Sequence, residues 1–455
     1  DAEPQYAISK MLNPEINYNK LYMDAFPKVV TAGGERFPAM VSAIDASIQR
    51  GVLVANYIGH GGEVGLAEER VVSIDQINSW NNIHALHLFV SATCEFTRFD
   101  DPERVSAGEW VFLNPSGGAV AMLTTTRSVY FGVNSNIGIK LIERVFNRYP
   151  NGEAYEFGEL ARRTKNAASV SSSNKRSFTL IGDPALRLAL PRYRIVTDSI
   201  NGLDPQQQPD TLQALSKVRI KGHIEDYNGA LLSNWNGILT PTIFDKRKTQ
   251  NTLGQDEASP IIAYEQQTNR IYRGQSSINN GYFDFEFVVP KDIALQIDFG
   301  KISYYGHNGQ TDAQGFDTLF YVGGIDPNGV ADDQGPAIDL YMNQEGFVNG
   351  SVTDENPVLL AKVADANGIN TVGNGIGHDI VAVLDGQTAQ PIVLNDFYAA
   401  SLDSYQAGEV RYQFQNLSPG PHTLSLKVWD VNNNSSTSQI DFVVQSKEAP
   451  VLQHV

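Results

Sequence analysis

Three runs of this chain are apolar almost from end to end: Val52–Ile58, Leu86–Thr93 and Gly118–Leu123. A strand with one wet face alternates polar and apolar residues; a strand without alternation is covered on both faces. Stretches of helical period lie around these runs. Within 36–50, Phe37, Met40, Val41, Ile44 and Ile48 share one face, and Gly51 ends the pattern. Ile74–Asn81 and Val105–Leu113 read as shorter helices. Ile137, Leu141 and Val145 mark another, and Phe157, Leu160, Ala161 and Thr164 a further one. Two-faced strands separated by helices predict an α/β domain over 1–190 with a mainly parallel sheet.

The texture changes after Pro191. Residues 203–209, Leu-Asp-Pro-Gln-Gln-Gln-Pro, read as a linker. Alternating stretches then dominate, such as Tyr282–Val289 and His422–Trp429, with turn signals at Asn228-Gly229, Asn280-Gly281 and Asn328-Gly329. They predict two all-β sandwich modules, at 192–330 and 334–446, and a tail at 447–455. The stretch Gly420-Pro421-His422 through Trp429-Asp430 resembles the last hairpin of an immunoglobulin-like domain. A chain of 455 residues accommodates this division into several cores.

In parallel sheets, sites form beyond the carboxyl ends of the strands. His60 follows the first apolar run, inside Asn56-Tyr57-Ile58-Gly59-His60-Gly61-Gly62, and Cys94 follows the second. A right-handed crossover places two such ends on one edge of the sheet, with neighbouring strands roughly 5 Å apart. Taken singly, a lone cysteine is most often a small buried hydrophobe, and a histidine among glycines a loop residue. Taken together they suit nucleophilic catalysis, because an imidazole converts a thiol to the reactive thiolate. Gly59, Gly61 and Gly62 are expected to admit a substrate backbone and to allow positive φ. The amides of Gly61 and Cys94 are candidates for an oxyanion hole.

Glu63 and Glu95 flank the pair as candidates to orient His60, with exposed loop acids as the plainer reading. Thr124, Thr125, Thr126 and Arg127 follow the third run; they suit substrate contact or strand capping. Asp100-Asp101-Pro102-Glu103 reads as a helix start capped by Asp101, or as a calcium-binding loop; structural calcium is thus the one cofactor considered, and none is required. His84 and His87 precede Cys94 on its own strand and belong at the opposite edge; three apart on a strand, they face opposite sides and make no metal pair. His223, His307, His378 and His422 lack ligand spacing. Residues 373–377, Gly-Asn-Gly-Ile-Gly, lack the βαβ setting of a nucleotide loop.

A net charge of −17 argues against nucleic acid as a partner. One cysteine permits no internal disulfide. No run approaches the ~18 apolar residues of a membrane helix. The chain opens at Asp1 without an initiator Met, as a processed product or fragment would.

The residues around His60 (Asn56–Gly62) and Cys94 (Ser91–Phe96), with Gly117–Arg127 and Leu180–Arg187, resemble the gingipain family of cysteine peptidases. Phe99–Glu109 is similar to the branch of that family that acts as surface sortase in type IX secretion. The likeness covers about the first 190 residues. It implies a caspase–hemoglobinase fold, with Cys94 as nucleophile and His60 as general base. It implies that the catalytic region begins upstream of residue 1, where the specificity pocket would be shaped, and that a terminal sorting domain would follow Val455. It further implies removal of C-terminal sorting domains from secreted cargo, and transfer of the acyl group to an amine of anionic lipopolysaccharide. The setting would be the outer-membrane surface of a Gram-negative bacterium, with a PorV-type barrel and other sortase-complex components as partners. Two other readings stay open: a catalytically silent surface scaffold or adhesin that binds cargo signals, and a degradative peptidase.

Overall fold

The computed structural model describes residues 13–169, 172–256, 259–372 and 377–445. The glycine-rich stretch at 373–376 and the tail from 446 lie outside them. The chain divides into two compact units: 1–190 with 249–266, and 191–248 with 267–455.

The first unit is built on a sheet of four strands, β1 (Val54–Ile58), β2 (His87–Ala92), β3 (Ala119–Thr125) and β4 (Phe178–Ile181), side by side in that order. β1, β2 and β3 run parallel, and β4 closes the edge antiparallel. Around them lie α1 (Pro38–Arg50), α2 (Ile74–Ser79), α3 (Ala107–Leu113), α4 (Phe131–Ile142) and α5 (Phe157–Ala167). Two successive right-handed crossovers in one direction put α2 and α3 on the same face.

The missing alternation in the apolar runs now has its cause. Phe89 and Met122 face a core with Met40, Ile48, Trp80 and Phe96. Their neighbours Leu88, Val90, Ala121 and Leu123 face a second core with Ile137, Leu141, Phe157 and Leu160. Both faces of β2 and β3 are therefore dry, as covered parallel strands require.

α3 corrects one expectation. Its cap is Ser106, not Asp101: the Ser106 amide and hydroxyl both donate to the Glu109 carboxylate, at 2.8 and 2.7 Å. This is a capping box. The Asp101 carboxylate instead accepts the Glu103 amide at 2.9 Å, forming a turn.

A second correction concerns the module boundary at 192–330. Residues 249–266 belong to the first unit. The Asp24 carboxylate there accepts the amides of Gly254 and Gln255, at 2.8 and 3.1 Å, and Tyr22 packs edge-on against Tyr264. An excursion of this kind has no signature in local periodicity, because its partners lie more than two hundred residues away in the chain.

The second unit is β throughout, apart from one short 3-10 turn among its described residues. Its first core is enclosed by an eight-stranded sheet that returns on itself, because Gly237–Phe244 also pairs with Lys301–His307. A separate three-stranded sheet of Thr211–Ala214, Tyr321–Ile325 and Asp298–Phe299 adds Leu212, Ala214 and Val322 to the same core. The second core lies between a four-stranded and a five-stranded sheet, and the last hairpin pairs Gly420–Trp429 with Ser435–Val444. Among the described residues no helix is long and apolar enough to cross a membrane.

His87, at the start of β2, is 1% exposed, and neither ring nitrogen has a partner. Burial holds its pKa down, at about 4 against an ordinary 6.5. The unfolded chain therefore takes up this proton first as pH falls below 6.5. Its stabilising contribution is whole above that pH and declines until about pH 4, by roughly 3 kcal/mol in all. Denaturation of the chain and of His87→Phe at pH 7 and pH 4 measures this. The natural chain should lose about that much more than the variant; equal losses would show that the ring accepts its proton in the fold.

Candidate active site

β1 and β2 are in parallel register, with Ile58 beside Ala92. His60 and Cys94 each stand two residues beyond that last pair, at the carboxyl edge. His60 is exposed and Cys94 half-buried. Cross-contacts bind the two turns together. The Gly59 amide donates to the Ala92 carbonyl at 3.3 Å. The His60 carbonyl accepts the Tyr57 hydroxyl at 2.6 Å and the Ala67 amide at 2.9 Å, which holds the backbone carrying the ring.

The glycines act differently from the expectation. Gly59, Gly61 and Gly62 all lack positive φ. Two of them are needed for space. A Cβ on Gly59 would lie 2.7 Å from the Tyr57 hydroxyl, and one on Gly61 would lie 2.7 Å from Thr93 Oγ1 and 3.0 Å from the Gly65 carbonyl. Gly61 thus lets the histidine turn lie directly on the residue before Cys94. The left-handed conformation falls instead on Glu95, with φ 48°. A non-glycine residue held there marks strain, on the order of 1 kcal/mol or more. It reverses the chain immediately after Cys94, so the cysteine stands at the tip of a tight turn.

The Cys94 thiol donates to the Val129 carbonyl at 3.4 Å. No hydrogen bond joins it to the His60 ring among the described residues. The neighbouring candidates are mostly occupied. Glu63 accepts from Arg98 at 2.8 Å and pairs with Arg104 at 3.3 Å, while its carbonyl accepts the Ala107 amide at 2.7 Å. It braces the histidine turn against the segment leading into α3. Arg127 forks onto Asp100 through bonds of 3.0 and 2.5 Å, which raises the guanidinium pKa and lowers that of the carboxyl. The Asp100 carboxylate that the calcium reading needed is therefore engaged by a cation. Thr126 bonds the Ser177 carbonyl at 3.3 Å, Thr125 bonds the Thr93 carbonyl at 2.7 Å, and Thr124 meets Ser91 and Thr97 at 2.7 and 2.9 Å. The Thr124 and Thr125 hydroxyls tie β3 to β2 and the cysteine turn, and that of Thr126 ties it to the residue before β4. Glu95 is half-buried beside the thiol, with its amide 3.4 Å from the Arg127 carbonyl.

Two contributors escaped the sequence reading. Val129 acts through its carbonyl, which no residue type signals. Tyr57 could have been suspected, because a glycine two residues on leaves room for a ring folded back over the strand end. Elsewhere, Asp332, Asp365 and Asp430 bring carboxylate oxygens within 4.8 Å of one another, the described group able to hold a cation. None of the three was singled out from the sequence.

A covered parallel sheet presenting one thiol and one imidazole at its carboxyl edge is the layout of an α/β peptidase unit. Residues 2–189 match the model of peptidase family C25. Among solved structures, dimeric latent PorU from Porphyromonas gingivalis is 30% identical, over 74% of this chain and 32% of its own, with a TM-score of 0.37. The Arg-specific cysteine proteinase gingipain R is 13% identical, over 62% of this chain and 55% of its own, with a TM-score of 0.31. The chain thus spans about a third of the length of the PorU structure. Among curated proteins there is no match.

Proposed function

We propose that this chain carries the catalytic core of a cysteine endopeptidase that also acts as a transpeptidase, a surface sortase. The observation that supports it best is the register Ile58–Ala92, which sets His60 and Cys94 equally far past two adjacent parallel strands. His60 takes the thiol proton, and the sulfur attacks the carbonyl carbon of the scissile bond. The amides of Gly61 and Cys94 stabilise the oxyanion. The imidazolium protonates the departing amine, the C–N bond breaks, and a thioester remains on Cys94. An amine or water then attacks the thioester and releases the sulfur. For this to begin, the thiol must exchange the Val129 carbonyl for the imidazole. Glu95, half-buried next to the cysteine, would meet the substrate at the rim, and Arg127 would join it on release from Asp100.

In this reading the substrates are secreted proteins with C-terminal sorting domains. The acceptor is an amine of anionic lipopolysaccharide, and the chain works at the outer-membrane surface beside a PorV-type barrel. The Val129 contact favours a second reading, a silent scaffold that binds cargo signals with its thiol held away from any base. Thiol alkylation separates the two. Iodoacetamide should react with Cys94 near neutral pH at least about tenfold faster than with a free cysteine, and His60→Ala should remove the excess. A slow rate, equal in both proteins, means the scaffold. In cells, cargo that still loses its sorting domain in the presence of Cys94→Ala alone would refute the sortase role.

A further inference from the structure

Away from the catalytic edge, α5, the residues before it and the segment following α4 border an open cleft of about 380 Å³. Arg144, Asn147, Tyr155, Arg162, Arg163 and Asn166 line it. Three guanidiniums in one cleft run against the balance of a chain with net charge −17. Two carboxylates oppose them. Glu159 holds Arg162 through two bonds of 2.7 Å and Arg163 through Nε at 2.6 Å. Glu143 is shared between Arg144, at 2.6 Å, and Lys140, at 2.7 Å. Two negative charges thus face four positive ones. Both terminal nitrogens of Arg163, Nη1 of Arg162 and Nη2 of Arg144 keep their donors without a protein partner among the described residues. Arg163 also lies over the Tyr155 ring, 4.3 Å from its centre, which fixes the plane of its fork.

Donors on opposite walls suit a tetrahedral oxyanion, which accepts from several directions; a planar carboxylate is satisfied by a single fork. The amides of Asn147 and Asn166 suit the hydroxyl groups of a sugar. The volume lies in the range of small-molecule sites. We infer that this cleft binds a phosphate ester carried on a sugar. It shares no residue with the Cys94 edge, so it is a second site on the peptidase unit.

Calorimetric titration of the whole chain with glucose 6-phosphate, and with glucose as control, tests this. The phosphate should bind and the plain sugar should not. Asn166→Asp, which adds a negative charge without disturbing any arginine pair, should weaken binding at least about tenfold, as should Arg163→Gln. Phosphatidylcholine vesicles carrying lipid A form the second arm. Binding to these vesicles that Asn166→Asp removes assigns the phosphate to a lipid headgroup; binding of the soluble ester alone assigns it to a free sugar phosphate. The inference fails if neither phosphate probe binds, if glucose binds equally, or if both variants bind as the natural chain does.

Discussion

Cys94→Ala is expected to lower peptide turnover by on the order of 10⁴-fold or more, because no other group can carry the acyl intermediate. The chain has one cysteine, so no second thiol can substitute. The fold should hardly notice. Cys94 is half-buried, and its sulfur has one hydrogen-bond partner, the Val129 carbonyl, near enough to the surface to turn to water. The measurement pairs cleavage of a peptide spanning a cargo junction with the thermal midpoint of the same preparation. A loss of turnover with an unmoved midpoint assigns the sulfur to chemistry. Turnover within about tenfold of the natural chain would remove Cys94 from the mechanism.

Gly61→Ala should have the second-largest effect, through geometry alone. The added methyl would sit 2.7 Å from Thr93 Oγ1 and 3.0 Å from the Gly65 carbonyl, both well inside contact distance. The histidine turn must then lift off the cysteine turn. A displacement near 1 Å at a catalytic pair can cost about a hundredfold in rate, and the overpacking about 1–3 kcal/mol in stability. Thr93→Ala offers a rescue. Its hydroxyl is buried and has no hydrogen-bond partner, so deleting it vacates part of the space without orphaning another group. The double variant should recover at least about tenfold of the lost turnover, a coupling that distant residues would not show. If both single effects simply add, the contact between the two turns does not position the pair.

Much of the first unit was legible because its signals are local. His87–Ala92 and Ala119–Thr125 lack alternation because both of their faces are covered, whereas Val54–Ile58, at the sheet edge, is only half-buried and exposes Asn56. The helical stripes of Met40 and Ile48, and of Phe157 and Leu160, named the faces that cover them. The helix start at Ser106 was misread because Asp101 and Ser106 are both good caps. What decides between them is Glu109, three residues beyond Ser106 and able to reach back. The glycines around His60 were misread for another reason. Glycine in sequence signals either unusual φ or missing space, and only neighbours distant in the chain distinguish the two.

The sequence by itself determined where the strands end and which side chains follow them, because backbone period and hydrophobic pattern are carried by residues a few positions apart. It therefore placed His60 and Cys94 past consecutive strands. Only the tertiary structure decided what each group touches: Val129 on the thiol, Arg98 and Arg104 on Glu63, Thr93 under Gly61, and residues 249–266 on the first unit. Those contacts join residues separated by tens to hundreds of positions. They are set by the packing of whole elements, which no short window of sequence contains.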